Sequence, residues 1–149
     1  MADINITQSE ADALIALEKI RVDDKAWSFP NPGEQLVIPL SSVDKRETFT
    51  LDITRSRIKL TKASYQNRAH QAIILIRLDV DGPPHRNPDG VEIPCPHLHI
   101  YREGFGDKWA QPAPVICYAN TRDLYSTMWA FIGQCNVTQA PQIERGLFS

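Results

Sequence analysis

Cysteine is scarce in this chain. The 149 residues hold three, Cys95, Cys117 and Cys135. The number is odd and no two stand in a Cys-x-x-Cys spacing, so the expectation is reduced, partly buried thiols rather than a disulfide framework. Long hydrophobic runs are missing as well: none approaches the ~20 residues that a membrane span needs. The opening MADINITQSEADAL carries acids and no basic segment, which does not read as a secretory signal. Together these point to a cytoplasmic protein with no membrane partner. A Walker-type glycine loop, a dinucleotide fingerprint and a Ser-His-Asp order are also absent. No internal repeat or low-complexity tract is present.

A further absence is local. From Thr54 to Leu78 there is no Asp or Glu, while Arg55, Arg57, Lys59, Lys62, Arg68 and Arg77 fall in the same stretch. The whole chain is nevertheless mildly acidic, with a formal charge of −2. A basic segment inside an acidic chain can build a positive patch without a basic isoelectric point.

The composition is that of a globular domain, 42% hydrophobic and 23% charged. Residues 1–140 read as one domain and 141–149 as a tail. Thr7 and Glu10 form a capping box, and Ala13, Leu14, Leu17 and Ile20 share one helical face, so a helix is expected over residues 7–21. Strands are expected at Gln35–Leu40, Glu47–Thr54, Arg57–Thr61, Ala72–Asp79 and His97–Arg102. A second helix, capped at Asn120 or Thr121, is expected to run to about Gln134, burying Leu124, Met128, Phe131 and Cys135. Gly82–Pro96 is a 15-residue loop with five prolines, stiff because proline removes backbone freedom. This order predicts an α+β fold with a central antiparallel sheet of four to five strands. An N-terminal and a C-terminal helix would pack on one face of it.

Side chains alternate across a strand. With Leu98 and Ile100 toward the helices, His97, His99 and Tyr101 face away. Arg57 and Lys59, and then Arg77 and Asp79, follow the same rule. The second sheet face should therefore collect histidine, arginine and tyrosine, with the stiff loop carrying His85, Arg86 and Asn87 able to fold over it.

That set fits metal-free RNA cleavage, which needs an acid, a base and a cation for the phosphate. His97, His99, Arg77 and Tyr101 are the candidate catalytic residues and no cofactor is required. Arg55, Arg57, Lys59, Tyr65, Arg68, Arg102 and Lys108 are the candidate RNA-binding residues. In architecture and composition, over roughly residues 7–135, the chain resembles the small bacterial ribonuclease toxins of the RelE and barnase type. That resemblance implies an open antiparallel sheet acting on RNA.

Two alternatives stand beside it. One is a metal site built from His97, His99 and Glu103, because His-x-His places two imidazoles on one strand face. Gly90, His97, His99 and Glu103 come near the first metal motif of cupins, with one residue too many after the glycine and no second motif following. The other is a non-catalytic interaction protein, such as an antitoxin, a phage anti-defence protein or an adaptor, with a protein partner anchored on Phe105, Trp109 and Tyr101.

Overall fold

The computed structural model describes residues 5–147. In chain order the elements are α1 (Gln8–Ala16), β1 (Lys19–Arg21), β2 (Ala26–Ser28), β3 (Gln35–Ser42), β4 (Thr48–Arg55), β5 (Ala63–Ala69), β6 (Ile73–Val80), β7 (His85–Arg86), β8 (Glu92–Ile93), β9 (His97–Ile100), β10 (Ala110–Pro112), α2 (Leu124–Gln134), β11 (Val137–Gln139) and β12 (Gln142–Glu144). This is a mixed α+β fold with one large, mostly antiparallel sheet. The sheet has eight strands, in the order β10-β9-β6-β5-β4-β3-β1-β11, rather than four to five.

Helix α1 starts at the expected capping box: Thr7 Oγ1 accepts from the Glu10 backbone N–H, and the Glu10 carboxylate accepts from that of Thr7. It ends at Ala16 instead of continuing to residue 21. Lys19–Arg21 leaves the helical pattern because it pairs antiparallel with β3 and parallel with β11, and two ladders outweigh another turn of helix. Helix α2 is capped by Asp123, whose side chain accepts from Ser126 N–H at 3.2 Å. It is not the last element. After it the chain returns through β11 and β12, the latter pairing parallel with β2. The segment from Pro141 thus joins the fold, with Ile143 buried among the core residues.

The expected strand at Arg57–Thr61 is a turn, with Ile58 and Leu60 exposed. The strand lies one segment later. In β5, Ala63, Tyr65, Asn67 and Ala69 are buried while Ser64, Gln66 and Arg68 are half-buried. The sequence ASYQNRA lacks the β-branched residues that mark a strand, which hides it.

One sheet face is apolar. Phe49, Leu51, Ile53, Tyr65, Leu78 and Leu98 belong to a single cluster with Ala11 and Leu14 of α1 and Leu124, Met128 and Phe131 of α2. The other face is polar, and cross-strand pairing sets its order. Asp52 lies opposite Gln66, Gln66 opposite Arg77, and Arg77 opposite His99. One row along, Ser64 lies opposite Asp79, and Asp79 opposite His97.

Candidate metal centre

The Pro-rich loop and the Gly104–Trp109 loop close over one end of the polar face. In the first, Asn87-Pro88-Asp89-Gly90 makes a tight turn between β7 and β8. Pro88 suits its second position, and Gly90, at φ 87°, takes the left-handed conformation that favours glycine. The loop is clamped to β10 by one side chain: Asn87 Nδ2 donates to Ala110 O at 2.9 Å and Asn87 Oδ1 accepts from Ala110 N–H at 2.8 Å. His85 Nε2 donates to Lys108 O at 2.7 Å, joining the two covering loops. The His85 ring then lies 4.6 Å from the His99 ring, edge to face.

Beneath this cover Arg77, Asp79, His97 and His99 share a face, as strand alternation predicts. The face is not open there: His97 is 2% exposed and His99 0%. Their ring orientations are fixed by backbone carbonyls. His97 Nδ1 lies 3.1 Å from Ile93 O and His99 Nδ1 lies 2.7 Å from Asp107 O. A carbonyl only accepts, so each Nδ1 carries a proton and each Nε2 is left to face the carboxylate. Both Nε2 atoms point at one carboxylate oxygen, Asp79 Oδ2, at 3.1 Å and 3.2 Å. Three potential metal-ligating atoms converge, all within 4.8 Å of one another.

A cation stands beside them: Arg77 Nη2 lies 3.0 Å from His99 Nε2 and 3.2 Å from Asp79 Oδ2. Its Nε donates to Asp79 Oδ1 at 3.1 Å, and its Nη1 pairs with the Asp107 carboxylate. Ser64 Oγ also donates to Asp79 Oδ1, at 2.9 Å. Burial alone would raise the Asp79 carboxyl. The contact with His99, the charge of Arg77 and the Ser64 hydroxyl outweigh burial and hold it well below the usual carboxylate range. The partner of His97 Nε2 is Asp79 Oδ2.

The spacing suits a metal ion. Ligands at about 2.0–2.1 Å around a tetrahedral ion stand about 3.3 Å apart; the two imidazole–carboxylate pairs stand at 3.1 and 3.2 Å, and all three atoms lie within 4.8 Å of one another. Ligand histidines ordinarily donate their second ring nitrogen to a carbonyl or carboxylate, as both rings do. Glu103, the carboxylate expected from sequence, is elsewhere: its Oε1 accepts from Gln8 N–H at 2.6 Å at the start of α1. Asp79 takes its place. Cys95 adjoins the site, its Sγ 3.5 Å from His97 Nδ1, on the far side of the ring from the convergent Nε2. Burial pushes that thiol up.

The other expected site residues scatter. Tyr101 is buried beside the N-terminal segment, its hydroxyl donating to Ile6 O at 2.9 Å and accepting from Ile6 N–H at 3.0 Å. Tyr65 is fully buried in the core and donates to Leu124 O. Arg55 is buried and donates to Pro30 O and Leu60 O. Lys59 pairs with Asp81 at 2.9 Å, and Arg68 with Asp52 at 2.6 Å. Arg102 covers Trp109, with its guanidinium carbon 4.1 Å from the ring centroid. Arg57 and Lys108 are exposed. Acids outside the stretch pair with Lys59, Arg68 and Arg77, so its basic residues do not form one continuous patch.

A cleft of about 480 Å³ reaches the cluster between β5, β6 and the Pro-rich loop. Lys62, Ser64, Gln66, Arg77, Asp79, His85 and His97 all line it.

Comparison with known proteins adds a family and no function. A family model covers residues 6–137. The chain belongs to DUF6978, a family of unknown function. No curated protein matches it, and neither does any solved structure. What DUF6978 members do must therefore be argued from this fold and this cluster. No helix among the described residues of this DUF6978 chain is long and apolar enough to cross a membrane.

Proposed function

We propose that this chain binds one divalent first-row metal ion through Asp79, His97 and His99 and uses it for hydrolytic chemistry at the floor of the cleft. The observation that carries this reading is the convergence of two imidazole Nε2 atoms and a carboxylate oxygen on one point, with both Nδ1–H groups tied to carbonyls. Two histidines and a carboxylate form a donor set suited to zinc or iron, and they leave coordination positions open. An ion there would polarise an oxygen and lower the pKa of bound water to about 7.

The test is zinc titration of the chelator-treated protein by calorimetry, alongside Asp79→Asn and His99→Gln. One equivalent of zinc should bind the wild type, and each substitution should weaken binding about 10- to 100-fold or more. Failure to bind zinc, iron(II) or manganese would overturn the reading.

A second reading, binding or metal-free cleavage of RNA, has one observation in its favour: Lys62, Arg77, His85 and His97 line a single cleft. It expects RNA cleavage undiminished by chelator and abolished by His97→Ala. Cleavage that needs added metal would favour the first reading.

A further inference from the structure

The convergent acceptors already hold one cation, and it is part of the chain. Arg77 Nη2 stands within 3.2 Å of both Asp79 Oδ2 and His99 Nε2, so it faces the same point as the metal ligands. A neutral His99 Nε2 has one lone pair, so it serves either a metal ion or this nitrogen and not both. Arg77 has a second anchor, since its Nη1 pairs with the Asp107 carboxylate. That carboxylate is independent of the cluster: Asp107 contributes to the histidines through its backbone oxygen alone. The guanidinium could therefore give up His99 and still be held.

The surroundings say what a released guanidinium would meet. Lys62, Arg77 and Asp79 are the charged residues lining the cleft apart from its histidines. No Phe, Tyr or Trp lines it, so the wall offers no surface on which a base would stack. With a dication on Asp79, the balance is positive and the chemistry is that of an oxyanion site.

We infer that Arg77 is a built-in counter-cation that metal displaces from Asp79 and His99, and that the displaced guanidinium, with Lys62, then binds an oxyanion ligand such as a phosphoester in the cleft. This rests on the metal centre proposed above and adds its regulation and ligand class: the anion site exists only when the metal is loaded. In the metal-free protein the guanidinium is held on Asp79 and His99.

The experiment compares the wild type, Arg77→Lys and Arg77→Met by calorimetry, first with zinc alone and then with phenylphosphonate, with and without zinc. Arg77→Lys keeps the charge but loses the fork that spans both acceptors. Simple charge repulsion predicts wild-type zinc affinity for it. Displacement predicts about threefold tighter zinc binding, and about tenfold tighter for Arg77→Met. Phenylphosphonate should bind the zinc-loaded wild type, fail to bind the metal-free protein, and bind zinc-loaded Arg77→Lys about tenfold more weakly. Thermal unfolding of each variant confirms folding, and Arg77→Lys carries the test if Arg77→Met does not fold. Unchanged zinc affinity in Arg77→Lys would overturn the inference. So would phenylphosphonate binding that ignores zinc or ignores Arg77. If the wild type and both variants fail to bind zinc, the metal centre itself falls and the inference with it.

Discussion

Two buried polar sites sit in this fold, and they are built on opposite rules. The first is Lys19, at 0% exposure. Its ammonium donates to Ile15 O at 3.0 Å, Leu17 O at 2.9 Å and Cys135 O at 2.9 Å. Three donors thus meet three acceptors, and the acceptors are the end carbonyls of α1 and α2, where the helix dipoles favour a cation. Phe49 lies under the charge, its centroid 4.9 Å from Nζ. The second site is Asp79 with His97 and His99, where two ring nitrogens share one carboxylate oxygen. One site is closed by backbone carbonyls and the other is built from side chains that converge on one point. Two carbonyls and two clamped loops hold that convergence in place, which supports the proposed binding role over scaffolding.

The contrast predicts its own breaking points. Lys19→Met should cost the most, about 3–5 kcal/mol in urea unfolding, because three carbonyls lose their donor in a closed interior. A loss under ~1 kcal/mol would mean that the carbonyls find water, and the site would not be closed in the sense argued here.

pH acts on the same lysine. Burial lowers Lys19 to about 8 from its ordinary 10.5. Between those values the unfolded chain binds a proton that the folded chain has shed, so this group makes stability rise with pH across that window, by up to about 3 kcal/mol. The measurement is the stability difference between wild type and Lys19→Met at pH 7.5 and pH 10, about either end of the window. It should widen at the higher pH.

At the other site, zinc at about 100 times its dissociation constant should stabilise the wild type and Lys19→Met alike, by about 2.7 kcal/mol. Asp79→Asn should lose that gain. In the metal-free protein Asp79→Asn should cost less, about 1–2 kcal/mol, since Arg77 keeps its pairing with Asp107. If metal-free Asp79→Asn proves as damaging as Lys19→Met, the comparison fails and the histidine cluster is scaffolding after all. The smallest effect belongs to neither site: Thr7→Ala removes the α1 cap for about 1 kcal/mol.

Much of the sheet was legible because apolar alternation is local information. Phe49, Leu51 and Ile53 in β4 announce their strand, and the alternation in β6 and β9 put Arg77, Asp79, His97 and His99 on one face. Strand β5 was not legible, since its buried positions include Asn67, whose Nδ2 donates to Thr50 O at 3.0 Å. A polar residue satisfied across strands looks like a loop residue in sequence. The closing of the histidine face was also hidden. It depends on the Asn87 side chain imitating a strand partner for Ala110, and no periodicity encodes that. Glu103 is near the histidines in sequence, whereas the pairing of β6 with β9 brings Asp79 near them in space. The basic stretch hides its counter-charges in the same way, since Asp52, Asp81 and Asp107 lie outside it in sequence.

The parallel pairing of β1 with β11, and of β2 with β12, has a consequence for synthesis. Residues 19–21 and 26–28 emerge from the ribosome early, but their partners are residues 137–139 and 142–144. Lys19 likewise waits for Cys135 O. Such long sequence separations slow folding, because the loop must close before the contacts form. The β3–β6 meander can assemble while the chain is still growing. The edge that joins the two ends closes last, so a nascent chain arrested before residue 137 should hold the histidine face but leave the Lys19 corner open to protease.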